Sequence, residues 1–178
     1  EMKDDKAIKS DERIIEGNGV NLHIKGKIDL SAFETFKQKS VKSDTKKNIY
    51  IIDTNVFVNC PDIISKIDDK YQIVMSAKVV DELDKLKIKL DATEKKNVVT
   101  ALRLINRAMD KPNVSMELSN PDLLPDDFNK KSPDNNILTV ALKYKDENPI
   151  LLTSDNGLQV KAKGLKIATI TLKEFLKR

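Results

Sequence analysis

Four acidic residues occupy similar positions relative to the predicted strands and helices, and carboxylates placed in this way can bind divalent cations. They are Asp53, Glu82, Asp134 and Asp155. Oxygen ligands of this type suit Mg²⁺ or Mn²⁺. An ion held by several carboxylates can favour the attack of water on phosphorus and neutralise the charge that develops on the leaving oxygen. The residue types therefore suggest phosphodiester hydrolysis.

The apolar pattern around these acids predicts that they meet. Asp53 follows one short apolar run and Asp155 follows another, so both carboxylates are expected at the ends of buried strands. Glu82 and Asp134 fall in the first turns of two predicted helices. In a parallel α/β sheet, the carboxyl ends of the strands and the N-termini of the following helices lie at one edge. We therefore expect the four acids to converge on one cleft.

Each acid also has a simpler interpretation. Asp53 could end a strand through a turn, Asp134 could complement a helix dipole, and Asp155 could belong to an ordinary strand-to-helix turn. Glu82 has acidic neighbours, Asp81 and Asp84, and one of the three must face inwards. We expect it to be Glu82, because it shares a helix face with apolar residues three and four positions away.

Strands and helices alternate along most of the chain. The strands are predicted at 49–52, 71–75, 114–118, 149–153 and 165–170. The helices are predicted at 61–67, 79–90, 94–109, 133–142, 156–163 and 172–176, with an acidic loop at 119–131. This alternation favours an α/β fold with a mainly parallel central sheet.

The N-terminal part has a different pattern. Residues 14–28 predict a hairpin around a Gly-Asn-Gly turn, and a short helix follows. The polar segment 39–47 predicts a linker. We therefore expect an appendage and linker over residues 1–47 and a separate domain over residues 48–178. The single histidine, His23, falls in the appendage and is expected to be an exposed hairpin residue.

The amino-acid composition restricts the classes of protein to which the chain could belong. The 178 residues include 32 basic and 28 acidic side chains, and the net charge of +4 is weak evidence for a nucleic-acid partner. A single cysteine, Cys60, excludes an internal disulfide and a cysteine-rich zinc site, and we expect it to be a small buried or partly buried side chain. No apolar run approaches the roughly 20 residues of a membrane span, and no secretory signal is apparent. We expect a cytoplasmic protein without a membrane partner.

Four strings of the sequence stand in a recognisable order: KKNIYIIDTNVFVNCPD, VVDELDKLK, SPDNNILTVALKY and ILLTSDNGLQVKAKGL. Together they resemble the PIN domain nucleases, and specifically the PIN domain at the N-terminus of PhoH-like proteins, from residue 46 to about residue 170. The resemblance implies a three-layer α/β/α fold with a parallel sheet and metal-dependent cleavage of single-stranded RNA, less often of DNA or structured nucleic acid. It also implies that the four acids are the metal-binding catalytic residues.

The resemblance extends to neighbouring polar residues. It implies that Asn55 and Thr153 support the carboxylates, and we expect Ser154 and Asn156, which flank Asp155, to assist them. Several lysines could follow the phosphate backbone of a substrate or could simply form a solvated face. Those singled out are Lys85, Lys87, Lys161 and Lys163.

The resemblance leaves other uses of the domain open. A PIN module could bind RNA or a partner protein without cleaving anything, or it could be a toxin-type ribonuclease controlled by an antitoxin. The PhoH pattern includes an ATPase that this chain does not contain, so a fused or partner ATPase is a further expectation. The N-terminal appendage could cover the cleft or mediate the formation of a homo-oligomer.

Overall fold

The computed structural model describes residues 46–89 and 91–178. The predicted hairpin, short helix and His23 of the appendage lie outside these residues, and so does most of the predicted linker. The boundary between the appendage and the domain therefore stays a prediction. Within the described part, no helix is long and apolar enough to cross a bilayer.

Five parallel strands form one sheet in the described part of the chain. They are β1 Asn48–Ile52, β2 Gln72–Ser76, β3 Val114–Glu117, β4 Asn148–Leu152 and β5 Ala168–Ile170. Their spatial order is β3-β2-β1-β4-β5, and all four strand pairs are parallel. The chain adds strands on one side of β1 and then on the other. The point where the order reverses, between β1 and β4, is where open α/β sheets usually bind ligands.

The central strand is apolar on both faces, and this explains its position. Tyr50 is 2% exposed, and Ile51 and Ile52 are fully buried. In register with them, Leu151 and Leu152 of β4 are also fully buried. Burial of such side chains stabilises the fold by about 1.5–3 kcal/mol each. The two strands that end beside the candidate site are therefore held in the least exposed part of the sheet.

Helices connect the strands and flank the sheet. They are α1 Thr54–Asn59, α2 Ile63–Lys66, α3 Ala77–Lys89, α4 Ala92–Ala108, α5 Pro133–Lys143, α6 Asn156–Gly164 and α7 Leu172–Leu176, with a 3₁₀ turn at Pro121–Leu123. Helix α4 packs against α1 and α3, and the Asn97 side chain of α4 donates to the carbonyl oxygen of Val58 at 3.1 Å. The predicted three-layer α/β/α fold with a parallel sheet is confirmed.

Some element predictions need correction. Helix α1 was not predicted, because its sequence TNVFVN is short and contains two valines, which favour strands. The predicted helix 61–67 shortens to Ile63–Lys66. The predicted strand 165–170 shortens to Ala168–Ile170, because Lys166 adopts a positive φ of 61° in the turn that leads from α6 into β5.

Candidate active site

Asp53 occupies the first position after the central strand. Its backbone N–H donates to the carbonyl oxygen of Leu152 at 2.9 Å, which continues the ladder between β1 and β4. The side chain caps α1: Oδ1 accepts from the backbone N–H of Thr54 at 2.7 Å. Oδ2 accepts from the Thr153 hydroxyl, also at 2.7 Å. Asp53 is only 3% exposed, so this carboxylate is fixed and almost removed from water.

Glu82 lies in the second turn of α3 and approaches the same region. Its Oε2 accepts from the Thr54 hydroxyl at 2.9 Å. Its Oε1 is buried and has no hydrogen-bond partner among the residues that the structure describes. The acidic neighbours Asp81 and Asp84 are exposed and form ion pairs with lysines of the same helix. Glu82 is therefore the inward-facing acid of the three, as the helix periodicity predicted.

Asp134 lies one position inside α5. The chain folds this way because Ser132 caps the helix and Pro133 occupies its first position. The Asp134 side chain is partly buried, and its negative charge acts on both Asp53 and Glu82. The structure thus brings three of the predicted acids within electrostatic range of one another.

Asp155 is connected to Asp53 through a threonine. The Thr153 hydroxyl, which donates to Asp53, accepts from the backbone N–H of Asp155 at 3.1 Å. Thr153 is fully buried. The Asp155 side chain caps α6, and its Oδ1 accepts from the backbone N–H of Leu158 at 2.8 Å. One carboxylate oxygen of the fourth acid is therefore engaged by its own helix.

Burial raises the pKa of Asp53 from an ordinary value of 3.8 to about 6. Hydrogen bonds from Thr153 and from the Thr54 backbone lower this pKa, but the charges of Asp134 and Glu82 raise it again. Burial also raises the pKa of Glu82, and Asp134 adds to the effect. The hydrogen bonds therefore do not compensate for the desolvation and mutual repulsion of these carboxylates.

The other predicted polar residues lie in less constrained positions. Asn55 and Asn156 are exposed in the first turns of α1 and α6. Ser154 is also exposed, and its hydroxyl accepts from the backbone N–H of Leu172 at 3.4 Å. Thr54, which the sequence pattern did not single out, is 4% exposed and contacts both Asp53 and Glu82. Recognising Asp53 as the cap of a helix would have placed Thr54 in that helix's first turn.

The predicted lysines fall into different groups. Lys85 pairs with Asp81 at 3.1 Å, and Lys87 pairs with Asp84 at 2.7 Å. Lys163 is exposed, whereas Lys161 is partly buried and donates to the side chain of a buried asparagine. Two of the four lysines are therefore already neutralised by acids on their own helix.

The acids meet the chemical requirements of a divalent ion. Asp53, Glu82 and Asp134 provide oxygen ligands with uncompensated negative charge, and Glu82 Oε1 lacks a partner. Across residues 46–89 and 91–178, however, no three acidic, histidine or cysteine side chains are already arranged to hold an ion. The donor set suits a divalent ion, and these side chains would have to adjust to bind one.

The sequence matches the PIN domain family over residues 50–173, and the chain belongs to that family. Its members are typically metal-dependent nucleases. The family that the four strings suggested is therefore confirmed. Among curated proteins, no significant match to the chain is found.

Three solved structures illustrate the similarity. A domain of a functionally unknown protein from Methanocaldococcus jannaschii DSM 2661 is 25% identical, with a TM-score of 0.48, over 71% of this chain and 91% of that chain. The PIN domain of human SMG5 is 15% identical, with a TM-score of 0.49, over 72% and 97% of the two chains. The RRP44 PIN domain of T. brucei is 13% identical, with a TM-score of 0.45, over 74% and 80%.

The raised pKa of Asp53 predicts how stability depends on pH in the absence of metal. The folded protein holds this proton more tightly than the unfolded chain, so the free energy of unfolding falls as the pH rises from 3.8 to about 6. We expect Asp53→Asn to remove this pH dependence. The free energy of unfolding of the variant, relative to wild type, should therefore rise by roughly 3 kcal/mol between the lower and the upper end of this pH range. Urea unfolding in EDTA at several pH values measures the difference.

The exposed acid Asp84 provides the matched control. Asp84→Asn changes the same chemical group on the surface, and we expect it to alter stability by less than about 0.5 kcal/mol. Equal pH dependence in wild type and Asp53→Asn would contradict the interpretation of Asp53 as a desolvated carboxylate.

Proposed function

We propose that this PIN domain is an endonuclease that uses Mg²⁺ or Mn²⁺ to hydrolyse phosphodiester bonds in single-stranded RNA, with single-stranded DNA as the alternative substrate. The observation that carries the proposal is the group formed by Asp53, Glu82 and Asp134 at the point where the strand order reverses. Asp53 is buried, Glu82 and Asp134 are partly buried, and one Glu82 oxygen has no partner in the described part of the chain. Membership of a family of nucleases supports it.

Asp53, Glu82, Asp134 and Asp155 would hold the metal, directly or through water. Such an ion, when bound, polarises the phosphodiester and favours deprotonation of the attacking water. The chain's own contribution is to position the ligands. Thr153 fixes one oxygen of Asp53, and the Thr54 hydroxyl fixes one oxygen of Glu82. Outer-shell hydrogen bonds of this kind commonly tune the affinity of metal sites.

The finer expectations stay predictions. They are the closer relation to the PIN domains of PhoH-like proteins, control by an antitoxin, association with an ATPase, a homo-oligomer and a cytoplasmic location. The main alternative function is a PIN module that binds RNA without cleaving it. Binding and cleavage assays on the same RNA distinguish this module from a nuclease.

A cleavage assay tests the proposal directly. We expect the purified full chain to cut a labelled, unstructured single-stranded RNA in Mg²⁺ or Mn²⁺ but not in EDTA. Asp53→Asn should reduce the rate by at least about a hundredfold, because it removes a metal ligand while the fold remains intact. Gel analysis of time courses on matched RNA and DNA strands also identifies the preferred nucleic acid.

Asp84→Asn again serves as the control and should cleave at the wild-type rate. Wild-type activity in Asp53→Asn would overturn the assignment of the site. Tight RNA binding by wild type without cleavage in either metal would favour the non-catalytic alternative.

Metal binding should depend on pH. Because the Asp53 carboxyl has a pKa of about 6, the proton and the ion compete for it. We expect Mn²⁺ to bind about tenfold more weakly near pH 5 than near pH 7, as measured by isothermal titration calorimetry. Affinity that stays constant over this range would show that Asp53 does not bind the ion.

Thr54 provides a test that does not depend on catalysis. Thr54→Val keeps the side-chain shape but removes the only described donor to Glu82, so we expect Mn²⁺ affinity to fall by about 10- to 100-fold. Thr54→Ser keeps the hydroxyl and should bind Mn²⁺ within about threefold of wild type. Calorimetric titrations of the two variants at one pH provide the comparison. Equal affinities would show that the hydroxyl does not prepare Glu82 for the ion.

A further inference from the structure

One lysine on the helix that Asp155 caps is held by a buried neutral amide. The Lys161 ammonium of α6 donates to Oδ1 of Asn135 in α5, with Nζ and Oδ1 2.9 Å apart. Asn135 is 2% exposed, and its Nδ2 donates to the carbonyl oxygen of Asn129 at 2.9 Å. These two bonds determine the orientation of the amide, since the reverse orientation would direct its N–H groups at the ammonium. The amide therefore presents an acceptor to Lys161.

The amide fixes the lysine without neutralising it. In the described part of the chain, Lys161 forms no salt bridge, whereas Lys85 and Lys87 pair with carboxylates. An ammonium has three N–H donors, and Asn135 uses one of them. Lys161 is only partly buried, so the other donors and the full positive charge remain available to a ligand.

Lys161 and Asn135 lie on the two helices that begin at Asp155 and beside Asp134. Asn135 directly follows Asp134 in the first turn of α5, and the helix that carries Lys161 is capped by Asp155. The anchored ammonium thus joins the two helices that provide the third and fourth acids. A substrate phosphate that enters this cleft meets several negative carboxylates, and a fixed positive charge beside them reduces the repulsion.

We propose that Lys161, positioned by Asn135, binds a backbone phosphate of the single-stranded substrate where the strand passes the acids of the candidate site. The inference rests on the proposed nuclease function and adds one specific backbone contact to it. An ammonium contacts phosphate as a point charge, so the contact carries no base preference. The bond to Asn135 already restricts the long lysine side chain before the strand binds. Less conformational entropy is therefore lost on binding.

Binding measurements in the Asp53→Asn background separate this contact from cleavage. The probe is a fluorescently labelled, unstructured single-stranded RNA, titrated with the full chain at salt concentrations from about 50 to about 200 mM. Lys161→Gln keeps an N–H donor for Asn135 but removes the charge. We expect about tenfold weaker binding and a salt slope smaller by about 0.7, the value for one phosphate contact on a single strand.

Two further variants control the result. Lys161→Arg keeps the positive charge and should restore most of the affinity and the salt slope. Lys145→Gln removes an exposed charge beyond the far end of α5 and should leave both unchanged. Thermal unfolding confirms that each variant is folded. Asn135→Asp provides a second test, because a carboxylate at this position would neutralise Lys161. It also loses the Nδ2 donor to Asn129 and adds its own charge, so the same change is made in the Lys161→Gln chain, where it should weaken binding less.

The outcomes separate the two proposals. RNA binding by the Asp53→Asn chain that is equally strong with Lys161→Gln and with Lys145→Gln would overturn the role of Lys161 and leave the nuclease proposal intact. Absence of both binding and cleavage by the wild-type chain would overturn both proposals. A loss of affinity in Lys161→Gln and Asn135→Asp, with recovery in Lys161→Arg, supports the phosphate contact.

Discussion

A carboxylate is buried where the chain leaves the central strand, and the rest of the site is organised around it. Asp53 is almost inaccessible to water, yet in the described domain it forms no salt bridge. Two hydrogen-bond donors reduce the free-energy cost of burying this carboxylate, but part of the cost remains. The raised pKa of Asp53 reflects that remaining cost. Glu82 and Asp134 add negative charge at the same place. Such an arrangement destabilises the protein on its own, and a bound cation would relieve the repulsion, as the proposed metal site requires.

The location of the site could be predicted from the sequence because it depends on features that the sequence shows directly. Short apolar runs identify the strands, and the acids follow them at fixed positions. The choice of Glu82 over Asp81 and Asp84 follows from helix periodicity, and the structure agrees with it. The all-parallel sheet follows from the alternation of elements.

Details that depend on side-chain direction could not be predicted. Thr54 lies in a helix too short and too rich in valine to be recognised, so its contact with Glu82 was not foreseen. The capping bond of Asp155 and the contact between Lys161 and Asn135 depend on rotamers and on the packing of distant helices. The surface ion pairs of Lys85 and Lys87 were visible as spacings of three and four residues, but the same residues also fitted a phosphate-binding face.

The pairing of β1 with β4 has a consequence for how this site can vary. Ile52 lies opposite Leu152, so the next residues, Asp53 and Thr153, are neighbours by continuation of the same register. The spacing between Asp53 and Thr153 is thus set by two central strands that no loop interrupts. The segment that carries Glu82 runs from β2 to β3, and the segment that carries Asp134 runs from β3 to the start of β4, so neither interrupts the sheet between Asp53 and Thr153. Insertions in those segments can reshape the surface around the acids while the distance between Asp53 and Thr153 stays the same, so in the proposed nuclease the substrate preference and the chemistry could evolve separately.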